Sequence, residues 1–281
     1  MKKIYFLIVL ILCFSFFTPV IAQLKMPQVS SAQTITQEFG LGTVTVKYSR
    51  PNVKGRNVFS DLAPYGEVWR TGANTITTIA FSENITLEGK AVQAGEYALL
   101  SIPGKDSWTI ILNKATKQWG TYAYKEADDV LRFTIKTSTL NDKIESFTIS
   151  FSDVLPTSAN LNLMWANTLV SIGMITEVDS KVMANIDEAM KGEKKPYMQA
   201  AIYYYDNGKD LSKALAWMNA VDAADQRTPW FNYWKAKIQL KSGDKAGAAA
   251  SAKAGLEIAK TMNIAEYVRL NNAVLAQTKN N

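Results

Sequence analysis

The sequence predicts two domains of different classes: an antiparallel β-sandwich or barrel over residues 23–176, followed by an all-α, helical-repeat domain over residues 177–281. Up to about Met174 the apolar residues recur at every second position, which is the period of a half-buried strand. After about Thr176 they recur at every third and fourth position, which is the period of an amphipathic helix. The change of period places the domain boundary near Thr176.

Residues 1–22 have the composition of a cleaved secretory signal. Lys2 and Lys3 give a positive start, an almost wholly apolar run follows from Ile4 to Phe17, and Ala22 ends a stretch of modest side chains. The apolar run is shorter than the about 20 residues that a membrane-spanning helix needs. We therefore expect cleavage after Ala22 and a periplasmic or secreted protein; an uncleaved anchor is the alternative.

The composition excludes several kinds of site. The chain has no histidine, and its one cysteine, Cys13, lies inside the predicted signal. Histidine-dependent triads and zinc sites, disulfides and thiolate clusters are therefore excluded. The net charge of +6 is mild for 281 residues, so we expect no nucleic-acid partner, and no segment after the signal is apolar enough to span a membrane. Phosphate-binding glycine loops and calcium loops are missing from the sequence, so we expect no cofactor and no metal.

The β half is predicted from segments in which apolar and polar residues alternate. Its alternating apolar positions are Val44, Val46 and Tyr48; Leu131, Phe133 and Ile135; Phe147, Ile149 and Phe151; and Leu161, Leu163 and Trp165. Turn residues such as Pro103 and Gly104 separate these segments. Short strands without a helical pattern between them favour an antiparallel sandwich or barrel.

The helical half is predicted from apolar spacing, helix caps and an internal repeat. The helical positions are Val182, Ile186 and Met190, then Leu211, Leu215, Met218 and Val221. Asp179 is placed to cap the first helix, and Thr228 with Pro229 matches a cap followed by proline at the first helical position. A shift of about 35 residues pairs Gly208 with Gly243, each in a polar turn between helices, and resembles tetratricopeptide pairs. The same shift pairs Ala201 with Ala236 and Ala214 with Ala249. An ordinary helical bundle is the alternative.

Several motifs in the β half resemble one known family. They include Tyr48-Ser49-Arg50-Pro51, the segment Gly-Glu-Val-Trp-Arg-Thr-Gly-Ala-Asn at residues 66–74, and Trp119-Gly120, in that order. These motifs resemble the bacterial domain-of-unknown-function 2911 family (DUF2911) over about Gln33 to Met174. The resemblance implies an exported, mostly β domain, often followed by helical repeats. It implies no catalytic residue, because the family has no established activity.

Cations and aromatic residues are concentrated in and around these motifs. Guanidinium groups bind carboxylate or phosphate, and aromatic faces stack on flat or sugar-like ligands. We therefore predict a site for a small anionic or carbohydrate ligand. Its candidate residues are Arg50, Lys54, Arg56, Glu67, Trp69, Arg70, Asn74 and Trp119. The alternative is structural: Glu67 pairs with Arg50 or Arg70, and the tryptophans anchor loops to the core.

Three functional classes remain open. The sequence favours a binding protein without catalysis, in which the 50–74 loop contacts the ligand and the helical half docks a protein partner. A hydrolase of envelope polymers that uses Glu67, with Asp61 as its second carboxylate, is one alternative. A purely structural scaffold is the other. Aromatic residues of the helical half favour packing between helices, with a concave peptide-binding surface as the alternative; they are Tyr203, Tyr204, Tyr205, Trp217, Trp230, Phe231 and Trp234.

Overall fold

A computed structural model describes residues 26–279, so the predicted signal lies outside the described residues. The chain divides into a β-rich unit that ends at Glu177 and a helical unit that begins at Val178. The predicted order, strands first and helices second, is confirmed. In the described part of the chain, no helix combines the length and apolar character needed to cross a membrane.

Ten strands form two antiparallel sheets in the described part of the β unit. The strands are β1 Ser31–Phe39, β2 Gly42–Arg50, β3 Thr78–Phe81, β4 Ile85–Leu87, β5 Lys90–Val92, β6 Gly95–Ile102, β7 Ser107–Asn113, β8 Asp129–Lys136, β9 Ser138–Ser152 and β10 Ser158–Ile175. One sheet has the order β1-β2-β3-β6-β7-β8, and the other has the order β5-β4-β10-β9. A single π-helical turn, Val58–Leu62, follows β2.

Both sheets contribute side chains to one buried core. Val46 of β2 and Ile110 of β7 come from the six-stranded sheet, and Ile149 of β9 and Leu163 of β10 come from the four-stranded sheet. Their alternation with more exposed residues follows the period of two that the sequence shows. Two separate sheets around a shared core are the arrangement of a sandwich, not of a closed barrel.

The outer face of the six-stranded sheet is also partly covered. Leu99 of β6 faces the main core, whereas its neighbour Leu100 belongs to a second cluster with Ile111 of β7. Ile76 and Val68, from the segment between the π-helical turn and β3, pack in this second cluster. This segment therefore contributes side chains to the outer face of the sheet.

The described part of the helical unit has six α-helices. They are α1 Asp179–Ala189, α2 Tyr197–Asp206, α3 Leu211–Ala220, α4 Pro229–Lys241, α5 Lys245–Thr261 and α6 Ala265–Lys279. The Thr228 side chain accepts a hydrogen bond from Phe231 N at the start of α4, as predicted. The predicted cap at Asp179 is wrong by one position, because Val178 occupies the cap position and Asp179 is the first helical residue.

Two helical hairpins repeat in this unit. Gly208 joins α2 to α3 and Gly243 joins α4 to α5, with φ angles of 65° and 90° that favour glycine. The second helix of each hairpin begins after a capping aspartate, Asp210 or Asp244. Counted from these caps, the fully buried Ala214 matches Ala248, which is also fully buried. The predicted pairing with Ala249 is therefore wrong by one residue, because the second turn is one residue shorter.

Candidate functional site

The candidate site is built from two loops on the outer face of the six-stranded sheet. The first, called the Arg70 loop, is the segment between the π-helical turn and β3. Trp69 and Ser101 exchange backbone hydrogen bonds of 2.7 and 2.9 Å, so the chain is extended here. Successive side chains of extended backbone point to opposite faces. Trp69 therefore enters the core, whereas Arg70 lies on the outer face.

A second loop, residues 114–128 between β7 and β8, lies beside Arg70. Ile76 N donates a hydrogen bond of 3.2 Å to Gln118 O, and Thr75 forms an antiparallel bridge with Trp119. These contacts join the two loops by their backbones. Side chains that follow Trp69 in one loop are thus held next to those around Trp119 in the other.

Arg70 is a cation whose guanidinium has no hydrogen-bond or ion-pair partner in the described part of the chain. Its side chain is half-buried, and its Nε is buried without a hydrogen-bond acceptor among residues 26–279. Leaving such a donor unsatisfied costs about 1–3 kcal/mol, and more for a charged group. A guanidinium in this state is ready to donate to an added carboxylate or phosphate.

Gly120 brings Arg70 close to an aromatic ring. Its φ is +64°, and a Cβ placed on it would stand 2.9 Å from Tyr122 Cε2 and 3.5 Å from Arg70 Nη1. The guanidinium and the Tyr122 ring therefore flank the same glycine. Trp119 is 62% exposed and Tyr122 is 91% exposed, so two aromatic side chains of this loop face solvent.

Gln118 contributes an unpaired acceptor to the same loop. Its Nε2 donates to Ala115 O at 2.9 Å, whereas its Oε1 is buried without a donor in the described part of the chain. Arg70 supplies a donor and Gln118 an acceptor, each on one of the two joined loops. Both are buried polar atoms that lack a partner within residues 26–279.

The Arg70 loop has a tightly held backbone. Thr71 and Asn74 have left-handed φ angles of 52° and 59°, which cost non-glycine residues about 1–3 kcal/mol each. Thr77 Oγ1 donates to Thr71 O at 2.7 Å, and Asn74 Nδ2 donates to Ser30 O at 3.1 Å. Asn74, a predicted ligand residue, thus fastens the loop to the strand region before β1. A loop held in this way presents Arg70 in a fixed position.

The second loop carries charges of both signs, with two lysines near its start and Glu126 and Asp128 at its end. Lys114 and Lys117 are exposed, and no ion pair involves them within residues 26–279. At the end of the loop Tyr124 donates to Asp129 at 2.9 Å, and Arg132 pairs with the same carboxylate at 3.3 Å. Burial and the hydrogen bond to Asp129 raise the pKa of Tyr124. The loop is therefore anchored by a neutralised acid and carries unpaired cations near its start.

Trp69 does not belong to the surface site. It is 6% exposed, and its ring stacks on Trp165 at 5.3 Å and meets Phe147 and Trp108 edge to face. Its Nε1 donates to Gly72 O at 3.0 Å. The prediction that Trp69 offers a face to a ligand is corrected, because both ring faces and the one donor are used within the core.

Arg50 is also used within the fold. Its Nε donates to Phe147 O at 3.1 Å, and its Nη2 donates to Thr148 Oγ1 at 2.8 Å. These bonds tie the end of β2 to β9 of the other sheet. In the described residues no hydrogen bond, ion pair or ring contact joins Arg50 to Arg70 or Trp119.

Lys54 and Arg56 lie in the turn after β2. Lys54 N donates to Glu145 Oε1 at 2.7 Å, and its side chain is exposed. Arg56 donates from Nε and Nη2 to carbonyl oxygens of Val53 and Asn52, at 3.1 and 2.6 Å. Arg56 therefore closes its own turn, and the structure does not bring these two cations to Arg70 through any hydrogen bond or ion pair of the described chain.

Glu67 forms none of the predicted ion pairs. It is exposed, and within residues 26–279 no ion pair joins it to Arg50 or Arg70. Asp61, its partner in the hydrolase hypothesis, accepts hydrogen bonds from Ser60 Oγ at 2.7 Å and Asn57 N at 3.0 Å, which lower its pKa. Glycoside hydrolysis also needs a protonated carboxyl. The geometry thus offers no support for that alternative.

Sequence reasoning missed Gln118 and Tyr122. Both belong to the polar segment that also contains Trp119 and Gly120. The available signal was a second aromatic residue close to Trp119 in a loop with few apolar residues, which does not fit an anchor alone. In the described part of the chain no cluster of acidic or thiol side chains is suited to hold a metal ion.

A family model described as a protein of unknown function (DUF2911) matches residues 30–174. The matched region contains both loops of the candidate site, including Arg70, Gln118, Trp119 and Tyr122. No curated protein and no solved structure matches the chain.

Proposed function

The chain belongs to the DUF2911 family of proteins of unknown function, because that family's model covers more than half of it, and we propose that it is a non-catalytic binding protein for an acidic carbohydrate. The binding site is formed by Arg70, Gln118, Trp119 and Tyr122. The observation that carries the proposal is the half-buried Arg70 guanidinium, which lies beside the same glycine as the Tyr122 ring and is joined to no residue of 26–279 by a hydrogen bond or ion pair.

Arg70 accounts for the anionic part of the ligand. A guanidinium presents parallel N–H donors that match the two oxygens of a carboxylate. Within residues 26–279 the Nε of Arg70 has no acceptor, whereas Arg50 and Arg56 each donate from Nε and Nη2. A carboxylate bound at the Arg70 guanidinium would neutralise its charge.

Trp119 and Tyr122 account for the carbohydrate part. Exposed aromatic rings can stack on the apolar faces of sugar rings. The Tyr122 ring lies beside the same glycine as the Arg70 guanidinium. A sugar acid that places its carboxylate on Arg70 therefore has an aromatic ring next to its own ring.

The proposal includes a location and a partner. Residues 1–22 have the pattern of a signal peptide, so the protein works in the periplasm or outside the cell, where acidic glycans are accessible. The two helical hairpins have glycine turns and buried alanines such as Ala214 and Ala248, features that support a tetratricopeptide-like array. Such arrays present concave surfaces, and the helical unit therefore serves to dock a protein partner.

Calorimetric titration with an acidic sugar tests the site. The probes are trigalacturonate and the neutral trisaccharide obtained by reducing its carboxyl groups. We expect trigalacturonate to bind the chain at least about tenfold more tightly, because the charge-assisted bonds to Arg70 need the carboxylate. Trp119→Ala should weaken the binding of both sugars, because it removes the aromatic stacking face but leaves the Arg70 cation.

The matched control is Trp230→Ala, because Trp230 is a partly exposed tryptophan of the helical unit. It should leave both affinities unchanged. Equal affinity for the acidic and the neutral sugar would refute the role of Arg70. Absence of binding to either sugar by a folded chain would leave the structural scaffold as the better account.

A further inference from the structure

The helical unit contains a cleft whose chemistry differs from that of the β unit. It has a volume of about 350 Å³ and is lined by side chains from α2, α4 and α6, a size suited to a few side chains of a ligand. Leu240, Leu270 and Val274 give it an apolar floor, and among residues 26–279 the charged residues that line it are Lys237 and Lys241. The cleft is therefore apolar below and positive at its edge.

The two lysines have no acidic partner in the described part of the chain. They stand four residues apart on α4, where like charges repel. Lys237 Nζ lies 4.8 Å from the ring centre of Tyr205 and 4.5 Å from that of Trp234. Ring contacts of this kind leave the three N–H donors of Lys237 without a conventional acceptor. Both ammonium groups would gain from a bound anion.

The distance between the two ammonium groups limits the spacing of the anionic groups that can bind both of them. Lys241 Nζ lies 4.3 Å from the ring centre of Tyr205 and donates to Tyr205 O at 2.6 Å. Since Tyr205 lies within 4.8 Å of Lys237 Nζ as well, the two ammonium groups are at most about 9 Å apart. In an extended peptide, side chains two residues apart lie on one face at about 7 Å. Two carboxylates at that spacing fall within this limit.

We propose that this cleft binds an extended acidic peptide of a partner protein, with two carboxylates two residues apart on Lys237 and Lys241 and an apolar side chain on the Leu240 and Val274 floor. The inference rests on the proposed docking role of the helical unit and names the chemistry of its partner. Charge complementarity carries it, because the described residues that line the cleft include two lysines and no acidic residue.

Fluorescence anisotropy with labelled peptides tests the inference on the full chain. The probe is an eight-residue peptide with two glutamates two positions apart and a leucine two positions after the second glutamate, so that all three side chains share one face of the extended peptide. The control peptide has glutamines in place of the glutamates. We expect the acidic peptide to bind at least about tenfold more tightly, and Lys237→Gln or Lys241→Gln to remove most of that difference.

Lys253→Gln is the matched variant, because Lys253 is an exposed lysine of α5 that does not line the cleft. It should change peptide affinity less than twofold, and Lys241→Arg, which keeps the charge, should retain binding. Melting curves for each variant show whether the helices remain folded.

Equal binding of the acidic and the glutamine peptide overturns the inference. So does binding to phosphatidylglycerol vesicles without binding to the acidic peptide, which would assign the two lysines to a membrane surface. Arg70→Gln separates this inference from the ligand site of the β unit: it should abolish the preference for trigalacturonate and leave peptide affinity unchanged. If the wild-type chain binds trigalacturonate but not the acidic peptide, only the peptide proposal is refuted. If it binds the peptide but not trigalacturonate, only the sugar proposal is refuted.

Discussion

The indole ring of Trp69 stacks on that of Trp165, with ring centres 5.3 Å apart and 14° between the ring planes. Trp69 comes from an irregular segment, whereas Trp165 lies in β10 of the four-stranded sheet. Phe147 of β9 meets both indoles within 5.7 Å. The segment that presents Arg70 is therefore fixed to the core by the residue immediately before it.

Replacing Trp69 with alanine should destabilise the β unit. The substitution removes a nearly buried indole and leaves a cavity, which typically costs about 3–5 kcal/mol in the free energy of unfolding. Urea unfolding followed by circular dichroism measures the loss. Trp119→Ala is the matched variant and should cost less than about 0.5 kcal/mol, because its side chain is 62% exposed. Similar losses for the two variants would contradict the assignment of one tryptophan to the core and the other to the surface.

Tyr48→Phe should weaken the connection between the two sheets. The Tyr48 hydroxyl donates to Gln33 Oε1 at 2.6 Å and accepts from Ile149 N at 2.9 Å. Phenylalanine leaves the buried Ile149 N without this acceptor, at a cost of about 1–3 kcal/mol. Tyr122→Phe, at a side chain that is 91% exposed, provides the comparison in the same unfolding assay. A neutral effect of Tyr48→Phe would show that this hydroxyl does not support the fold.

The sequence predicted the strands, but it did not predict where the side chains of the loop residues lie. Alternation at Val46 and Ile149 is a local property, and it predicted both the strands and the buried face. Arg70 differs, because its side chain faces outwards only when the backbone at Trp69 pairs with Ser101. That pairing joins residues far apart in the sequence, so no local pattern reports it.

The four predicted cations, Arg50, Lys54, Arg56 and Arg70, have different environments in the fold for the same reason. Arg50 reaches β9 because β2 and β9 face each other across the core, a relation set by the order of strands in two sheets. Arg56 satisfies carbonyl groups within its own turn. Sequence proximity placed these residues with Arg70, whereas the fold gave each of them a different partner or none.

Gly120→Ala should weaken ligand binding by more than its loss of folding stability accounts for. Gly120 and Gly55 both have a left-handed φ, 64° and 73°, so alanine costs each of them about 1 kcal/mol. Only at Gly120 would the added Cβ approach other side chains, at 2.9 Å from the Tyr122 ring. We expect similar losses of melting temperature for Gly120→Ala and Gly55→Ala, and weaker trigalacturonate binding for Gly120→Ala alone. Unchanged affinity in the Gly120 variant would argue against a ligand beside this glycine.

The helical unit should lose stability in acid through Asp179. A hydrogen bond from Lys209 Nζ at 2.6 Å, and a second from Tyr203 OH at 2.8 Å, lower the pKa of this carboxyl from its ordinary value of 3.8. A lowered pKa in the folded state stabilises the fold above pH 3.8, and this stabilisation is lost as the pH falls through the lowered value.

Urea unfolding at neutral pH and at about pH 3 measures this contribution. Asp179→Asn should reduce stability at neutral pH and flatten the acid dependence. Asp187→Asn is the matched variant, because Asp187 is an exposed residue of the same helix, and it should leave the wild-type acid dependence in place. The same acid dependence in Asp179→Asn as in wild type would assign the effect to other carboxyls.

The most direct test of the proposed ligand site is the affinity of trigalacturonate for Arg70→Gln compared with Arg56→Gln. Both variants lose one guanidinium charge, but only Arg70 has a buried donor without an acceptor in the described part of the chain. We predict that Arg70→Gln weakens binding by about tenfold or more and that Arg56→Gln changes it less than twofold, with both chains folded. Equal affinities for wild type and Arg70→Gln would contradict the account.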